Sequence, residues 1–376
     1  MPLMLAVRNK FIKFAAKIFT IMRNLILFLA VSFSFMTAHA DYGTSGFIAA
    51  DHPDIVFMGR NLVTPAHARA FNFPGATALV EFTGHSLDMY TSPGSGYFMV
   101  EVDAMEPYKV RFAEGDSIKT LAANLGDGNH SARITYAIEG FEMHPEIRGF
   151  RLADNGRLLK ADRPEGPRIE FVGNSITCGY GTESTDSIVP FSYDTENHCL
   201  TYAYLTGRAL DADVNVVARS GIGIYRNYDG PRSGSAEGTM PLEYGNTMLY
   251  DNTRPWDFSA FRPDIVCINL GTNDTSTGNY DIPIFEQRYS DFLDRVISLN
   301  SGSKIVLLTG SMLNGKKLED VKAALDRLAD SRKGVVYRFD MTPQTGELGY
   351  GASFHPSAAQ SRKMASELTE FLKSIL

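Results

Sequence analysis

Four short segments of the sequence contain the residue types that acyl transfer from an ester requires. Ser175 follows the apolar run 169–172, and Gly221, Asn273 and His355 occur further along the chain. A serine hydroxyl is a weak nucleophile at neutral pH and needs an adjacent base, usually histidine. The tetrahedral intermediate carries an oxyanion, which needs hydrogen-bond donors fixed in advance. We therefore expect Ser175 as nucleophile and His355 as base, with the Ser175 N–H, the Gly221 N–H and the Asn273 amide as oxyanion donors.

These four residues are expected to meet because each lies where a predicted strand ends or a predicted helix begins. From Arg168 onward, strand-like runs alternate with helical ones, a pattern typical of a parallel sheet covered by helices on both faces. Ligands bind at the carboxyl edge of such a sheet. Residues 227–254, rich in Gly, Ser, Tyr and Asn, show no periodicity and are predicted to be a long irregular segment. The predicted strands are 169–172, 214–218, 264–270, 304–309 and 335–340, and the predicted helices are 200–210, 284–300, 318–331 and 358–376.

Each of the four features also has an ordinary structural explanation when it is taken alone. Gly221 could be a turn glycine, and Asn273 could be a turn or capping residue. His355 could simply lead into the last helix, with Ser357 as the N-cap. The interpretation depends on all four features occurring in order at one predicted sheet edge.

The chain before this region has a different pattern, with short alternating segments between turn residues. Six segments read as strands, and pairs such as Pro74-Gly75 and Pro93-Gly94 separate them. Such spacing predicts an all-β sandwich, and we expect a jelly roll. The proline-rich connector 163–167 separates the two patterns, giving a sandwich over 41–163 and a catalytic domain over 168–376, which we expect to touch. The six predicted strands are 76–83, 97–103, 109–112, 118–125, 131–138 and 147–153.

The first 40 residues predict a secretory signal peptide. They contain five basic and no acidic residues, an apolar run 25–35, and Ala38-His39-Ala40 as a cleavage site. We therefore expect an exported protein that starts at Asp41, and the apolar run is short for a membrane span. Removing the segment would lower the net charge from −7 to −12. An acidic chain has no electrostatic reason to bind a nucleic-acid backbone and suits a neutral substrate.

The three cysteines give no metal-binding pattern. Cys267 lies in an apolar run and is expected to be a buried free thiol. Cys178 and Cys199 could form a disulfide in an exported protein, and the sequence leaves that open. Neither C-x-x-C nor any metal-ligand spacing occurs in the sequence. We expect catalysis without a metal or organic cofactor.

The order of these motifs resembles that of the SGNH hydrolases. Gly173-Asn-Ser-Ile-Thr177, Ser220-Gly-Ile-Gly223, Gly271-Thr-Asn-Asp274 and His355-Pro-Ser357 are similar to blocks one, two, three and five of that superfamily. The turn at Ser175 is not the G-x-S-x-G elbow of the α/β-hydrolases, because residue 177 is threonine.

Longer stretches resemble carbohydrate esterase family two, the acetylxylan esterases with an N-terminal jelly roll. The resemblance is carried by 168–181, by 220–228 and by Trp256-Asp-Phe-Ser259 leading into 263–274, with weaker likeness in the sandwich. It implies a three-layer α/β/α SGNH domain and removal of acetyl groups from xylan or related polysaccharides and oligosaccharides. It also implies Ser175 as nucleophile and His355 as base.

Two departures from the SGNH pattern affect the expected mechanism. Asn174 stands where block one usually has Asp, which is not the nucleophile. Residues 352 and 353 are Ala and Ser, so His355 lacks the acid that often precedes this histidine and orients its ring. Similar esterases can work as a Ser–His dyad in which a backbone carbonyl accepts the Nδ1 proton. We expect a dyad here, and a carboxylate bound to His355 Nδ1 would contradict it.

Trp256 is the single tryptophan of the chain and has two explanations. It could pack against the third strand of the catalytic domain, or it could be a platform on which a sugar ring stacks. The affinity of a Trp256→Ala variant for oligosaccharide distinguishes the two. We predict that Trp256 binds the substrate by stacking on a sugar ring.

Two other functions compete with polysaccharide deacetylation. A lipase or lysophospholipase of the same superfamily would need an apolar groove for long acyl chains, which the polar segment 227–254 disfavours. A carbohydrate-binding protein with weak catalysis is favoured only by the missing acid beside His355. A chain-length series of esters separates the first alternative, and ester turnover separates the second.

Overall fold

The computed structural model describes residues 46–153 and 155–376. The predicted signal peptide and its cleavage site lie outside the described residues. Residues 46–376 form one compact unit. Within the described residues, no helix is both long enough and apolar enough to cross a membrane.

The amino-terminal part of this unit consists of two antiparallel sheets around a shared core. One sheet has the strand order β3-β4-β11-β6-β9, with β1 beside β11; the other has the order β12-β5-β10-β7-β8, with β2 beside β5. Alternate residues of facing strands, such as Val80, Phe98 and Met89, belong to one fully buried cluster, as a two-residue side-chain period requires. The strands are β1 Phe47–Ala49, β2 Val56–Met58, β3 Leu62–Val63, β4 Arg69–Ala70, β5 Thr77–Thr83, β6 Leu87–Thr91, β7 Gly96–Val102, β8 Tyr108–Phe112, β9 Ile118–Ala122, β10 Asn129–Tyr136, β11 Glu146–Leu152 and β12 Leu158–Leu159.

All six strands predicted in this part are present, within three residues at either end. The sequence missed β6 and the short strands β1 to β4 and β12. Strands of two or three residues are too short to show an alternating pattern, which explains most of these misses. Strand β6 has five residues and is buried at four of them, so it has little polar alternation.

The second part is a parallel five-stranded sheet, which confirms the prediction for this region. Its order is β14-β13-β17-β18-β19, so the strand that leads to Ser175 lies between the strands that lead to Gly221 and Asn273. The strands are β13 Arg168–Gly173, β14 Asp213–Ala218, β17 Ile265–Asn269, β18 Lys304–Thr309 and β19 Val336–Asp340.

Helices cover both faces of this sheet. Alternate strand residues point to opposite faces: Phe171 and Cys267 pack in one core cluster with α2 and α6, and Val172 and Val266 in another with α4 and α5. Ser357 caps α6, as predicted, by accepting the Gln360 N–H at 3.1 Å. The helices are α1 Ser175–Cys178, α2 Tyr202–Ala209, α3 Met240–Glu243, α4 Ile282–Leu299, α5 Gly315–Asp330 and α6 Ala358–Ile375.

Segment 227–254 is more ordered than predicted. It contains α3 and most of a two-stranded ribbon, β15 Asn246–Met248 and β16 Asp251–Pro255. Tyr244 within it is fully buried, and its hydroxyl donates to Glu170 in β13. The prediction of a wholly irregular segment was wrong, because elements of three to five residues are too short to show periodicity.

The sandwich packs against the catalytic part through buried polar contacts. Arg60, just after β2, is 1% exposed and lies 3.2 Å from the Glu170 carboxylate. Asn72 exchanges two hydrogen bonds with the backbone of Leu249. Arg163 of the connector binds Asp213 at 2.8 Å. The two parts therefore touch, as the short connector predicted.

The cysteines are buried free thiols. Cys178, Cys199 and Cys267 are each unpaired. The prediction for Cys267 is confirmed, and the disulfide between Cys178 and Cys199, which the sequence left open, is not formed in this structure.

Candidate active site

Ser175 and His355 are in direct contact. Ser175 is the first residue of α1, directly beyond β13, and its Oγ lies 2.9 Å from His355 Nε2. His355 Nδ1 lies 3.1 Å from the carbonyl oxygen of Ala352. Within the part of the chain that the structure describes, no carboxylate bonds to the imidazole. Two residues that are 180 positions apart in sequence thus lie at the distance that a serine nucleophile and its histidine base require.

A strained turn holds His355 in place. Ser353 and Phe354 have positive φ angles of 49° and 57°, which side-chain-bearing residues rarely adopt. Main-chain bonds fix both ends of the turn: Gly351 N–H donates to His355 O at 2.8 Å, and Ala352 N–H donates to Gly181 O at 3.1 Å. Such backbone strain persists only where its surroundings impose it, and it clusters at functional sites.

Tyr180 covers the imidazole. The two rings are stacked, with centroids 3.9 Å apart and planes 17° apart, and Phe191 packs on Tyr180. Burial lowers the pKa of His355 to about 4, although its bonds to backbone groups oppose this shift. The imidazole is therefore neutral near pH 7, as a general base must be. Tyr180 belongs to the stretch 168–181, and nothing in the sequence predicted its contact with the imidazole.

The structure brings the Gly221 and Asn273 loops to the same sheet edge as Ser175. Asn273 Nδ2 donates one hydrogen bond to Ile222 O at 2.7 Å. An amide has two N–H groups, so the second one stays available. Gly221 has φ +76°, and this left-handed conformation explains the glycine. A β-carbon there would meet only Tyr228, at an ordinary 3.7 Å, so the positive φ rather than crowding by the protein requires glycine.

Asp274 organises the Gly221 loop from below. Its buried carboxylate accepts the N–H groups of Ile224 at 2.9 Å, Tyr225 at 2.8 Å and Arg226 at 3.4 Å. Burial raises the pKa of Asp274 to about 6, and these backbone bonds oppose the rise. Arg226 is fully buried and donates to the carbonyl of Asp274 and to those of three other residues. The sequence predicted no role for Asp274, because the main-chain groups that its carboxylate binds lie in a loop 48 to 50 residues earlier.

A cleft of about 670 Å³ lies between the sandwich and the catalytic part, and it approaches the Ser175–His355 pair through Tyr180, which stacks on His355. Its catalytic-side wall contains Tyr180, residues 191–194 and Ser220, which precedes Gly221. Its sandwich wall contains aromatic and charged side chains together. The aromatic and charged side chains that line the cleft include Tyr97, Arg111 and Phe141 of the sandwich and Tyr193 and Asp194 of the catalytic part.

Trp256 lies in a different environment. The half-buried ring packs over the Arg60 guanidinium, 5.1 Å from the ring centroid, and the main-chain N–H of Trp256 donates to Gly245 O. Arg60 in turn binds Glu170, in the middle of β13, whereas Ser175 lies beyond the carboxyl end of that strand. These contacts fit the packing explanation. The sugar-stacking role of Trp256 stays a prediction.

Comparison with known proteins gives matches over nearly all of the described chain. Residues 57–161 match the family "Carbohydrate esterase 2 N-terminal", and residues 171–363 match the "GDSL-like Lipase/Acylhydrolase family". A structure of a family two carbohydrate esterase from Clostridium thermocellum in complex with cellohexaose has 30% sequence identity and a TM-score of 0.77, and covers 85% of this chain and 98% of that one. One from Cellvibrio japonicus has 25% identity and a TM-score of 0.80, covering 88% and 97%.

Two curated relatives are similar over most of this chain. "Cellulase/esterase CelE" of Acetivibrio thermocellus is 33% identical over 87% of this chain, which spans only 40% of that protein's length. "Acetylxylan esterase / glucomannan deacetylase" of Cellvibrio japonicus is 27% identical over 88% of this chain and 91% of that protein. The chain therefore belongs to carbohydrate esterase family two, carboxylic ester hydrolases whose catalytic domain has the SGNH/GDSL fold.

Proposed function

We propose that this protein removes acetyl groups from polysaccharides or oligosaccharides such as xylan and glucomannan. The observation that carries the proposal is the 2.9 Å contact between Ser175 Oγ and His355 Nε2. The similarity to an acetylxylan esterase / glucomannan deacetylase over 88% of the chain supports this substrate class.

The proposed mechanism is a Ser–His dyad. Ser175 Oγ attacks the acetyl carbonyl while His355 Nε2 takes its proton, and the main-chain carbonyl of Ala352 holds the Nδ1 proton. The tetrahedral intermediate collapses to an acetyl-enzyme as His355 gives the proton to the departing sugar hydroxyl. A water molecule, activated by the same imidazole, then attacks the acetyl-enzyme and releases acetate.

The proposed oxyanion donors are the N–H groups of Ser175 and Gly221 and the free amide hydrogen of Asn273. Donors that are fixed before the reaction stabilise the developing charge without reorganising in the transition state. The bond from Asn273 to Ile222 O and the bonds from Asp274 to the Gly221 loop supply this rigidity. Removing one such donor costs roughly 3 kcal/mol of barrier.

The cleft favours a sugar over a lipid as the alcohol part of the ester. Tyr97 and Tyr193 present aromatic rings close to the charged side chains of Arg111 and Asp194, a mixture suited to a polyhydroxylated ligand. A lysophospholipase would need a continuous apolar groove. A chain-length series of 4-nitrophenyl esters distinguishes the two, with acetate preferred over octanoate if the proposal is correct.

The decisive experiment is Ser175→Ala assayed on 4-nitrophenyl acetate and acetylated xylan. We expect kcat to fall by about 10⁴-fold or more with the fold retained, because no other nucleophile contacts His355 among the described residues. Thr177→Ala, two residues further along α1, is the matched control for disturbing the helix. Retained turnover in Ser175→Ala would contradict the assignment of the nucleophile.

Two finer features are also proposed. The strand orders β4-β11-β6-β9 and β5-β10-β7-β8 support a jelly roll, because the successive strands β4 to β11 alternate between the two sheets except at the antiparallel pair β7–β8, which lies within one sheet. The basic and apolar composition of residues 1–40 supports export with cleavage after Ala40. The intact mass of the exported protein tests this cleavage, and a mature end far from Asp41 would reject it.

A further inference from the structure

A buried carboxyl group of the sandwich reaches the loop that precedes Gly221. Glu139 lies three residues beyond β10 and is 3% exposed. Its Oε2 accepts the backbone N–H of Ser220 at 2.7 Å and the Cys178 thiol at 3.8 Å. A residue of the amino-terminal part therefore contacts the catalytic loop directly.

Hydrogen bonds hold the main chain on both sides of Glu139 and so fix the position from which its side chain reaches the loop. Gly140 N–H donates to Asn72 O at 3.0 Å, and Glu139 N–H donates to Glu196 Oε2 at 3.3 Å. Ala137 O accepts the His198 N–H at 2.7 Å. Two of these three partners, Glu196 and His198, belong to the catalytic part, which makes the segment a rigid bridge between the two parts.

The bond to Ser220 holds the Arg219–Ser220 peptide group, which directly precedes the peptide group that carries the Gly221 N–H. On the other side, Gly221 O accepts the Tyr228 N–H at 2.8 Å. The Gly221 N–H lies between these two constraints, at a residue whose φ of +76° would otherwise leave glycine free to rotate. Losing either constraint would let the proposed oxyanion donor move, and displacements of about 1 Å can cost 100-fold in rate.

The cluster around Glu139 is buried and acidic, and burial favours the protonated forms of its groups. The carboxyl groups of Glu139 and Glu196 and the Cys178 thiol lie within 4.8 Å of one another. Burial raises the pKa of the thiol well above its usual value, so the thiol keeps its proton and donates it to Glu139. A metal ion would need the thiolate and would compete with the Ser220 N–H for the same carboxylate oxygen.

We propose that Glu139 is a positioning residue for ester hydrolysis at Ser175, acting through the Ser220 N–H to aim the Gly221 N–H at the oxyanion. This inference rests on the proposed function and deepens it. The sandwich thereby contributes to the chemical step as well as to substrate binding.

The test compares Glu139→Leu, Glu139→Asp and Glu139→Gln with Glu146→Gln, a half-buried glutamate at the start of β11 in the same part of the chain. We expect Glu139→Leu to lower kcat on 4-nitrophenyl acetate by about 50-fold, with KM within about twofold. Glu139→Gln keeps an acceptor for the Ser220 N–H and should recover to within about fivefold of wild type. Glu146→Gln should match wild type.

A second readout separates positioning from folding. An alkylboronic acid forms a tetrahedral adduct with a serine nucleophile and mimics the oxyanion. Its inhibition constant should rise in Glu139→Leu by about the same factor as kcat falls, whereas a variant that is only partly folded would keep the wild-type constant. If Glu139→Leu does not fold, Glu139→Asp withdraws the carboxylate by one methylene and should show an intermediate loss.

The outcomes distinguish this inference from the proposed function. Wild-type kcat and boronate affinity in folded Glu139→Leu or Glu139→Asp, together with an inactive Ser175→Ala, would overturn the role of Glu139 alone. A kcat loss of similar size in Glu139→Gln and Glu139→Leu would also overturn it, since the acceptor would then not be what matters. Ester turnover that survives in Ser175→Ala would remove the proposed function and this inference with it.

Discussion

The sandwich meets the catalytic part at two places that contain buried carboxyl groups, and their charge balance differs. At the first, the Glu170 carboxylate lies 3.2 Å from the buried Arg60 guanidinium and also accepts the Tyr244 hydroxyl. At the second, Glu139 and Glu196 lie side by side, both buried and both acidic. The first place joins opposite charges and the second joins like charges.

Burial has different consequences at the two places, because only the first has an opposite charge that compensates its buried carboxylate. A buried charge persists where an opposite charge and hydrogen bonds compensate it, as they do for Arg60 and Glu170. Where compensation is missing, burial favours the neutral form. Burial raises the pKa of Glu196 well above its usual value, with Glu139 beside it adding to the rise, and burial lowers the pKa of His355 to about 4. In both groups burial favours the neutral form, which for His355 is the form that a general base needs.

The largest expected effect comes from removing one charge from the balanced contact. Glu170→Gln would leave the Arg60 guanidinium buried without a counterion, and breaking such a pair costs about 3 to 5 kcal/mol of unfolding free energy. Urea denaturation at pH 7 measures the loss as a lower midpoint with an unchanged slope. The kcat per folded molecule should stay near that of wild type, because Glu170 lies in mid-strand, five residues before Ser175.

Arg60→Met is the companion variant, since it leaves the opposite charge unpaired. It should lose a similar amount of unfolding free energy, and the double variant Arg60→Met, Glu170→Gln should recover part of it. Losses below about 1 kcal/mol in both single variants would show that this contact is no more charge-dependent than the acidic one.

These two contacts also show what the sequence could and could not predict. Ser175, Gly221, Asn273 and His355 were located because strand ends in a parallel sheet meet at one edge, and that rule needs only strand order. Arg60–Glu170 and Glu139–Ser220 join residues 110 and 81 positions apart across two parts of the chain. A local sequence pattern carries no information about contacts between residues so far apart. The sequence therefore predicted that these four residues lie at one sheet edge, but it missed the contacts that Tyr180 makes with His355 and that Asp274 and Glu139 make with the Gly221 loop.

A smaller effect is expected in the pH dependence of activity. His355 must be neutral to accept the Ser175 proton, so activity should fall as pH drops through about 4, where the imidazole becomes protonated. At pH 5 about 90% of the imidazole would be neutral, compared with about 3% for a histidine of ordinary pKa near 6.5. The pH profile of kcat/KM on a neutral acetyl ester measures this limb.

Tyr180→Ala sharpens the same measurement, because Tyr180 covers the imidazole and contributes to its burial. Opening the ring to water should move the acid limb upward, toward pH 6.5. If the acid limb of the wild type already lies near pH 6.5, burial does not keep His355 neutral. The difference described above between the two contacts would then lose this support.

The smallest effect is expected for Glu196→Gln, the same chemical change as Glu170→Gln at the unbalanced contact. The raised pKa means that native Glu196 keeps a proton which the unfolded chain releases above about pH 4.5, so the wild type loses stability as pH rises from there. Glutamine is neutral at every pH and retains an oxygen for the Glu139 N–H. The variant should therefore lie within about 1 kcal/mol of wild type at pH 5 and become the more stable of the two by pH 9.

Urea titrations at both pH values measure this crossing, with Glu146→Gln as the control for losing one carboxyl group. The groups that face Glu196 in this cluster are Glu139, Cys178, Arg219 and Lys109. The two carboxyl groups therefore titrate together, and the change in relative stability between pH 5 and pH 9 is a property of the pair. A loss of 2 kcal/mol or more at both pH values would mean that Glu196 is ionised and compensated, like Glu170. Both contacts would then consist of compensated charges, and burial would not keep the carboxyl groups near the Gly221 loop neutral.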